Sequence, residues 1–259
     1  MLFRSYHGDV EPTDKPHPDL QDESQRSAGI EKPILWATIP MSQMQSEHNG
    51  TVIFLNGSSS AGKTTLAMAL QEILDEPFQY VALDQFRDGM PAKYRGLNSP
   101  AGTTGERGLN VVPVHNRQGE PYTSIQFGSD GRTLLRGMRR AMATMASEGV
   151  NLLIDDIILE AEFLDDYLEA MSDLELYFVG VRCPEAVILE REAVRPGRFP
   201  GTATGHLEIC HAHGDYDVEV DTSQATPEEC AMAVINRLHA GPPEAFARLR
   251  NQAKVAMPR

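Results

Sequence analysis

Lys63 stands inside the stretch Gly57-Ser58-Ser59-Ser60-Ala61-Gly62-Lys63-Thr64. The spacing fits G-x-x-x-x-G-K-[ST] at every position. Small side chains at Ser58, Ser59, Ser60 and Ala61 leave a concavity that backbone N–H groups can line. The positive end of a following helix would face the same space. Such a cradle suits the phosphates of a nucleoside triphosphate. Lys63 can reach the terminal phosphates, the Thr64 hydroxyl can ligate Mg²⁺, and Thr65 continues the same turn. The motif does not say whether the terminal phosphate passes to water, passes to a small molecule, or serves as a switch.

Three further groups narrow that choice. Asp84 closes the segment "YVALD", at the carboxyl edge of an expected strand, where open α/β sheets place ligands. A carboxylate there can accept the proton of an attacking hydroxyl, although Asp also favours helix caps. Asp155 and Asp156 end "LLIDD". One carboxylate at that place commonly holds Mg²⁺ through water, and Asp155 is the expected ligand. Arg191, Arg195 and Arg198 cluster in "EREAVRPGRFPG". Arg195 and Arg198 suit a lid that offsets charge on a transferring phosphoryl group. Arg191 could equally pair with Glu190 or Glu192. His206, Cys210, His211 and His213 lie close in sequence, but their spacing matches no established zinc pattern.

The elements that must position these groups follow from periodicity. Strands are expected at 51–56, 78–84, 150–155, 174–182 and 216–222, with helices between them. Residues 130–147 carry Leu134, Leu135, Met138, Ala141, Met142 and Met145 at helical spacing. Arg132, Arg136, Arg139 and Arg140 fall largely off that stripe and read as a solvated face. Thr226, Pro227 and Glu229 form a helix-starting signature. Alternating strands and helices predict an α/β fold: a three-layer α/β/α arrangement on a five-stranded parallel sheet. Residues 86–128 show no convincing period and read as an acceptor-side insertion within a domain spanning 49–240. Residues 191–205 would form the lid, 241–259 a C-terminal tail, and 1–48 a disordered arm in which Met41 or Met44 is an alternative start.

Composition limits the partners. The chain has 259 residues, 41% of them hydrophobic, and a formal net charge of -14. An acidic chain repels nucleic-acid backbones and anionic membranes, so neither is an expected partner. Three scattered cysteines do not make a disulfide framework, which suits a cytoplasmic setting.

Taken together, "IFLNGSSSAGKTT", "ALDQF", "LLIDDIIL", "VGVRCPEAVILEREAVRPGR" and "CHAHGDYDVEVDT" resemble the chloramphenicol phosphotransferase-like family of P-loop kinases. The match runs from about Thr51 to Leu238. The resemblance implies an ATP-dependent O-phosphotransferase of a small hydroxylated molecule. It also implies a nucleoside-monophosphate-kinase-like fold, with Asp84 as general base and Arg195 and Arg198 in the lid. Arg195-Pro196-Gly197-Arg198 stands where that family often reads R-G-D-R, and His206 where it often has Gln. Two alternatives compete: a zeta-toxin-like nucleotide-sugar kinase, and a nucleotide-binding regulatory protein without phosphotransfer. The acceptor's identity, ATP against GTP, and the oligomeric state are not legible in the sequence.

Overall fold

The apolar run Val52–Asn56 forms β1, and all five residues are buried. A strand buried on both faces must lie inside a sheet, with parallel neighbours and helices above and below. β1 is flanked by β6 (Leu152–Asp156) and β7 (Leu176–Arg182), both parallel to it. β2 (Gln79–Ala82) and β8 (Val218–Asp221) form the edges, giving the order β2-β6-β1-β7-β8. The structure, a computed structural model, describes residues 48–115, 119, 121–194, 201–207 and 209–256. These all belong to one compact unit, residues 41–259. The arm expected over 1–48 lies outside the described residues apart from His48. Among the described residues, no helix is long and apolar enough to cross a membrane.

Alternate residues of each central strand point to opposite faces. Val52, Phe54, Leu152, Ile154 and Phe178 pack on one side against α4 (Ser129–Ser147), α5 (Ala161–Ala170) and α9 (Ala245–Ala256). Ile53, Leu55, Leu153, Val179 and Val181 pack on the other against α1 (Lys63–Ile73) and α8 (Pro227–His239). Phe54 sits 4.5 Å from the Tyr167 ring and 5.1 Å from that of Phe178. Burying such a ring contributes about 1.5–3 kcal/mol, so the strand that leads into the phosphate-binding turn is firmly anchored. Thr226 caps α8 as expected, its Oγ1 accepting from Glu229 N at 3.2 Å.

Four differences from the sequence reading have physical causes. The strand expected at 78–84 stops at Ala82. Leu83–Gly89 is a short helix, α2, and Asp84 lies in its first turn. The stretch 86–128 is not irregular. It holds β3 (Arg95–Leu97), α3 (Thr104–Arg107), β4 (Leu109–His115) and β5 (Pro121–Phe127), which form a second, three-stranded sheet. Leu109 pairs with Phe127, and both join the main core. Residues 241–259, expected as a tail, contain α9, whose Phe246 and Leu249 are buried. Arg139 is not on a solvated face. It is buried, 3.0 Å from Asp166, with its guanidinium over the Phe163 and Tyr167 rings. A guanidinium is planar enough to stack on aromatic faces, so one arginine on an apolar stripe can be paid for inside.

Candidate active site

β1 ends at Asn56, and the chain turns through Gly57–Gly62 into α1. A Cβ on Gly57 would stand 2.5 Å from Val181 O, so only glycine lets the turn leave the sheet so close to β7. Gly62 has φ +95, a left-handed conformation in which a side chain is strained. Lys63 is buried, and its Nζ donates to Gly57 O at 2.9 Å and Ser58 O at 3.0 Å. The ammonium therefore already folds back over the turn. Ser59 Oγ and Ser60 Oγ are buried and find no hydrogen-bond partner. A buried hydroxyl left without a partner is costly. A phosphate in the cradle would satisfy both, so the residues fit a triphosphate.

Asp155, on β6 beside Leu55, reaches the same place. Its Oδ1 lies 3.6 Å from Lys63 Nζ, and its Oδ2 accepts from Thr64 Oγ1 at 2.9 Å. Tyr80 OH donates to the same Oδ2 at 2.9 Å. Burial, then the Asp155 charge, pushes the Tyr80 hydroxyl up to about 12. Thr64 and Asp155 form a pair of hard oxygen donors that fits Mg²⁺. Asp156 turns the other way. It is buried, accepts from Tyr167 OH at 2.6 Å, and its carboxyl is pushed above the usual range chiefly by burial. Both residues line the cavity, but the Asp155 carboxylate meets Lys63, Thr64 and Tyr80 while that of Asp156 is buried against Tyr167.

Asp84 faces that cavity from α2. Arg87 Nη1 donates to its Oδ1 at 2.7 Å, which fixes the direction of the carboxylate. Gln85 Oε1 accepts from Ala82 N, so Gln85 and not Asp84 closes the start of this helix. The cavity has a volume of about 630 Å³. Lys63, Thr64, Tyr80, Asp84, Leu109, Phe127, Asp155 and Leu159 all line it. Of the expected site residues, Ser59, Ser60, Gly62 to Thr65, Asp84 and Asp155 line this space, and Gly57, Ser58 and Ala61 complete the turn behind them. Arg195 and Arg198 lie outside the described residues.

The sequence reading missed or left open several residues here. Tyr80 and Arg87 belong to no motif; their partners, Asp155 and Asp84, were the available signal. Arg191, on α6 (Glu185–Ala193), pairs with neither Glu190 nor Glu192. It donates to Thr222 Oγ1 at 2.9 Å and Thr222 O at 2.8 Å, and Thr222 Oγ1 donates to Ala61 O at 2.7 Å. α6 is thereby tied to the phosphate-binding turn. Glu192 is buried and accepts from Gly201 N and Ala203 N, both at 2.9 Å, at the start of α7 (Thr202–Leu207). The histidine cluster has a different place. Asn56 Nδ2 donates to Cys210 O and Tyr216 OH, and His211 Nδ1 shares a hydrogen bond with Tyr216 OH. Among the described residues, no group of three His, Cys, Asp or Glu side chains converges to hold a metal.

A parallel five-stranded sheet with helices on both faces, and a phosphate-binding turn after its central strand, defines the P-loop kinase fold. Many solved structures share it, among them two kinases. A sugar kinase from Janibacter sp. HTCC2649 is 18% identical with TM-score 0.50, covering 73% of this chain and 95% of its own. The Mycobacterium tuberculosis APS kinase CysC, in complex with AMPPNP and APS, is 17% identical with TM-score 0.51, covering 74% and 99%. Residues 50–239 match the family described as chloramphenicol phosphotransferase-like protein, and the chain belongs to that family. It is an enzyme of the phosphotransferase class. A Mycobacterium tuberculosis H37Rv protein, provisionally named O-phosphotransferase Rv2636, is 29% identical over 215 residues, 82% of this chain and 93% of the relative.

Proposed function

We propose that the chain transfers the γ-phosphoryl group of ATP to a hydroxyl of a small molecule, with Asp84 as general base. The observation that carries this reading is that Lys63, Thr64 and Asp155 line the same cavity as Asp84. A switch protein needs the first set only. The acceptor hydroxyl gives its proton to Asp84 as its oxygen attacks the γ-phosphorus. The bond from that phosphorus to the bridging oxygen breaks, and ADP leaves. Arg87 orients the carboxylate for the proton it takes. Lys63, held over the turn, moves its charge onto the β- and γ-phosphates. Mg²⁺ on Thr64, and on Asp155 through water, would neutralise phosphate charge during transfer. Arg195 and Arg198 are the proposed further charge partners.

Asp84→Asn tests the base. Transfer should fall about 10²–10⁴-fold, while the dissociation constant for ATP measured by titration stays within about twofold. Transfer near the wild-type rate would refute the assignment.

A further inference from the structure

Strand parity brings Tyr80 to the phosphate-binding turn. In the parallel register of β2 and β6, Tyr80 pairs with Leu153 and Ala82 with Asp155. Alternate residues of a strand share a face. Tyr80 therefore lies on the face of Asp155, one step back on the neighbouring strand. α1 packs on that face through Leu66, Ala67 and Leu70, and its first turn carries Lys63 and Thr64. The Tyr80 ring rests against the same core. Its hydroxyl donates to Asp155 Oδ2 at 2.9 Å and stands 3.5 Å from Thr64 Oγ1. Tyr80, Thr64 and Asp155 all line the cavity.

Among the described residues, three side chains meet the Asp155 carboxylate, and they are not equivalent. Lys63 Nζ stands 3.6 Å from Oδ1. Thr64 Oγ1 and Tyr80 OH both donate to Oδ2 at 2.9 Å. On the proposed function, Lys63 turns its charge to the phosphates and Thr64 turns an oxygen lone pair to Mg²⁺. Both then answer to the ligand. Tyr80 has no such second duty. A tyrosine hydroxyl has one proton to donate, and the shorter contact directs it to Asp155 rather than to Thr64. With two donors, Oδ2 is filled. Oδ1 keeps only the more distant Lys63 contact and is the oxygen left for a ligand. The torsion of a carboxylate is otherwise broad, and two hydrogen bonds on one oxygen fix it. The Asp155 side chain is only 11% exposed, so bulk water does not simply replace a lost donor.

We propose that Tyr80 is a positioning residue: its hydroxyl fixes the Asp155 carboxylate, and through it the Thr64 hydroxyl, in the arrangement that takes up Mg²⁺ with the nucleotide. This rests on the magnesium-donor role given above to Thr64 and Asp155, so binding is measured apart from transfer. A non-hydrolysable ATP analogue is titrated calorimetrically into the full chain, once in excess Mg²⁺ and once in EDTA. The ratio of the two dissociation constants is the gain that the metal brings. Tyr80→Phe keeps the ring in the core and removes only the hydroxyl. It should cut that gain about tenfold, the low end of the scale for groups that orient metal ligands. The constant in EDTA should stay within about twofold, because the phosphate cradle itself is untouched. In an Asp155→Ala background, Tyr80→Phe should change the gain by less than about twofold, since a residue that acts through Asp155 then has nothing to position. A wild type that gains nothing from Mg²⁺ overturns the proposal. So does a gain unchanged in Tyr80→Phe, whether or not both constants weaken together, and so does a full further loss in the double variant. A gain that depends on Tyr80 and Asp155 as expected, with no labelled phosphate reaching any alcohol of a panel, upholds the positioning role and counts against phosphotransfer instead.

Discussion

In the donor cradle, the groups that would meet a ligand are mostly backbone atoms and hydroxyls held within eight consecutive residues, Gly57 to Thr64. The acceptor wall is assembled from far apart: Asp84 from α2, Leu109 from β4, Phe127 from β5 and Leu159 from the loop after β6. The cradle is a local geometry and works wherever a buried strand meets a helix. The wall exists only once the second sheet has docked its Leu109 and Phe127 into the main core. On the proposed function, the first arrangement would serve the phosphoryl donor, and the second would change its acceptor by changing a few side chains. A substitution in the cradle should therefore strike transfer to every acceptor, and one in the wall should strike some acceptors only.

The largest effect tests the first half of that contrast. Lys63→Ala removes the ammonium that bridges Gly57 O, Ser58 O and Asp155. Transfer should fall at least about 10³-fold, the usual scale for losing a charge that stabilises a transition state. The fall should be equal for every alcohol in a panel assayed with labelled ATP. Loss confined to some alcohols would mean that Lys63 also shapes the acceptor side, and the contrast would fail.

The same contrast governs what the sequence disclosed. The five strands, the phosphate-binding turn and the capped start of α8 were legible because each is written in neighbouring residues. Asp155 was legible from its place after an unbroken apolar run. Asp84 was identified, but not its setting in the first turn of α2, because "ALD" reads as well for a strand end as for a helix start. The second sheet was not legible. β3 has three residues and pairs only with β4, β4 contains Pro113, and the sheet is held by the pairing of β4 with β5 and by Leu109 and Phe127 in the core. Arg139 was misassigned for a related reason. Its burial depends on Asp166, Phe163 and Tyr167, which lie on another helix. Periodicity records what one element presents and is silent on what its neighbour offers.

A middle-sized effect tests the second half. Ile125 lines the cavity beside Leu109 and Phe127. Ile125→Ala removes apolar surface there and leaves the cradle untouched. The KM for an alcohol with an apolar body should rise about tenfold, the scale of two buried methylene groups. The dissociation constant for ATP should not move. A parallel weakening of ATP would show that the two halves are mechanically joined, and the division drawn here would have to be abandoned.

The smallest effect concerns what lies beneath the cradle. Asn56, the residue before Gly57, is held by Cys210 O and Tyr216 OH, and Tyr216 is bonded in turn to His211. Burial, then the positive charge of Arg182, pushes His211 down to about 4; His213 is lowered for the same two reasons. The unfolded chain takes up a proton on such a ring near pH 6.5, and the folded chain resists it until about pH 4. Stability from this source is complete above pH 6.5 and declines as the pH falls through that window. His211 is only half-buried, so the loss is discounted to about 1–2 kcal/mol, a fall of about 2–8 °C in Tm. Thermal melts of the wild type and His211→Gln from pH 7.5 to 4.0 isolate it, because the carboxylates titrate alike in both. The variant should show the shallower decline between pH 6.5 and 4. Parallel curves would mean that the support beneath the cradle is insensitive to protonation. The donor half would then be the more robust of the two in acid as well as the more local in sequence.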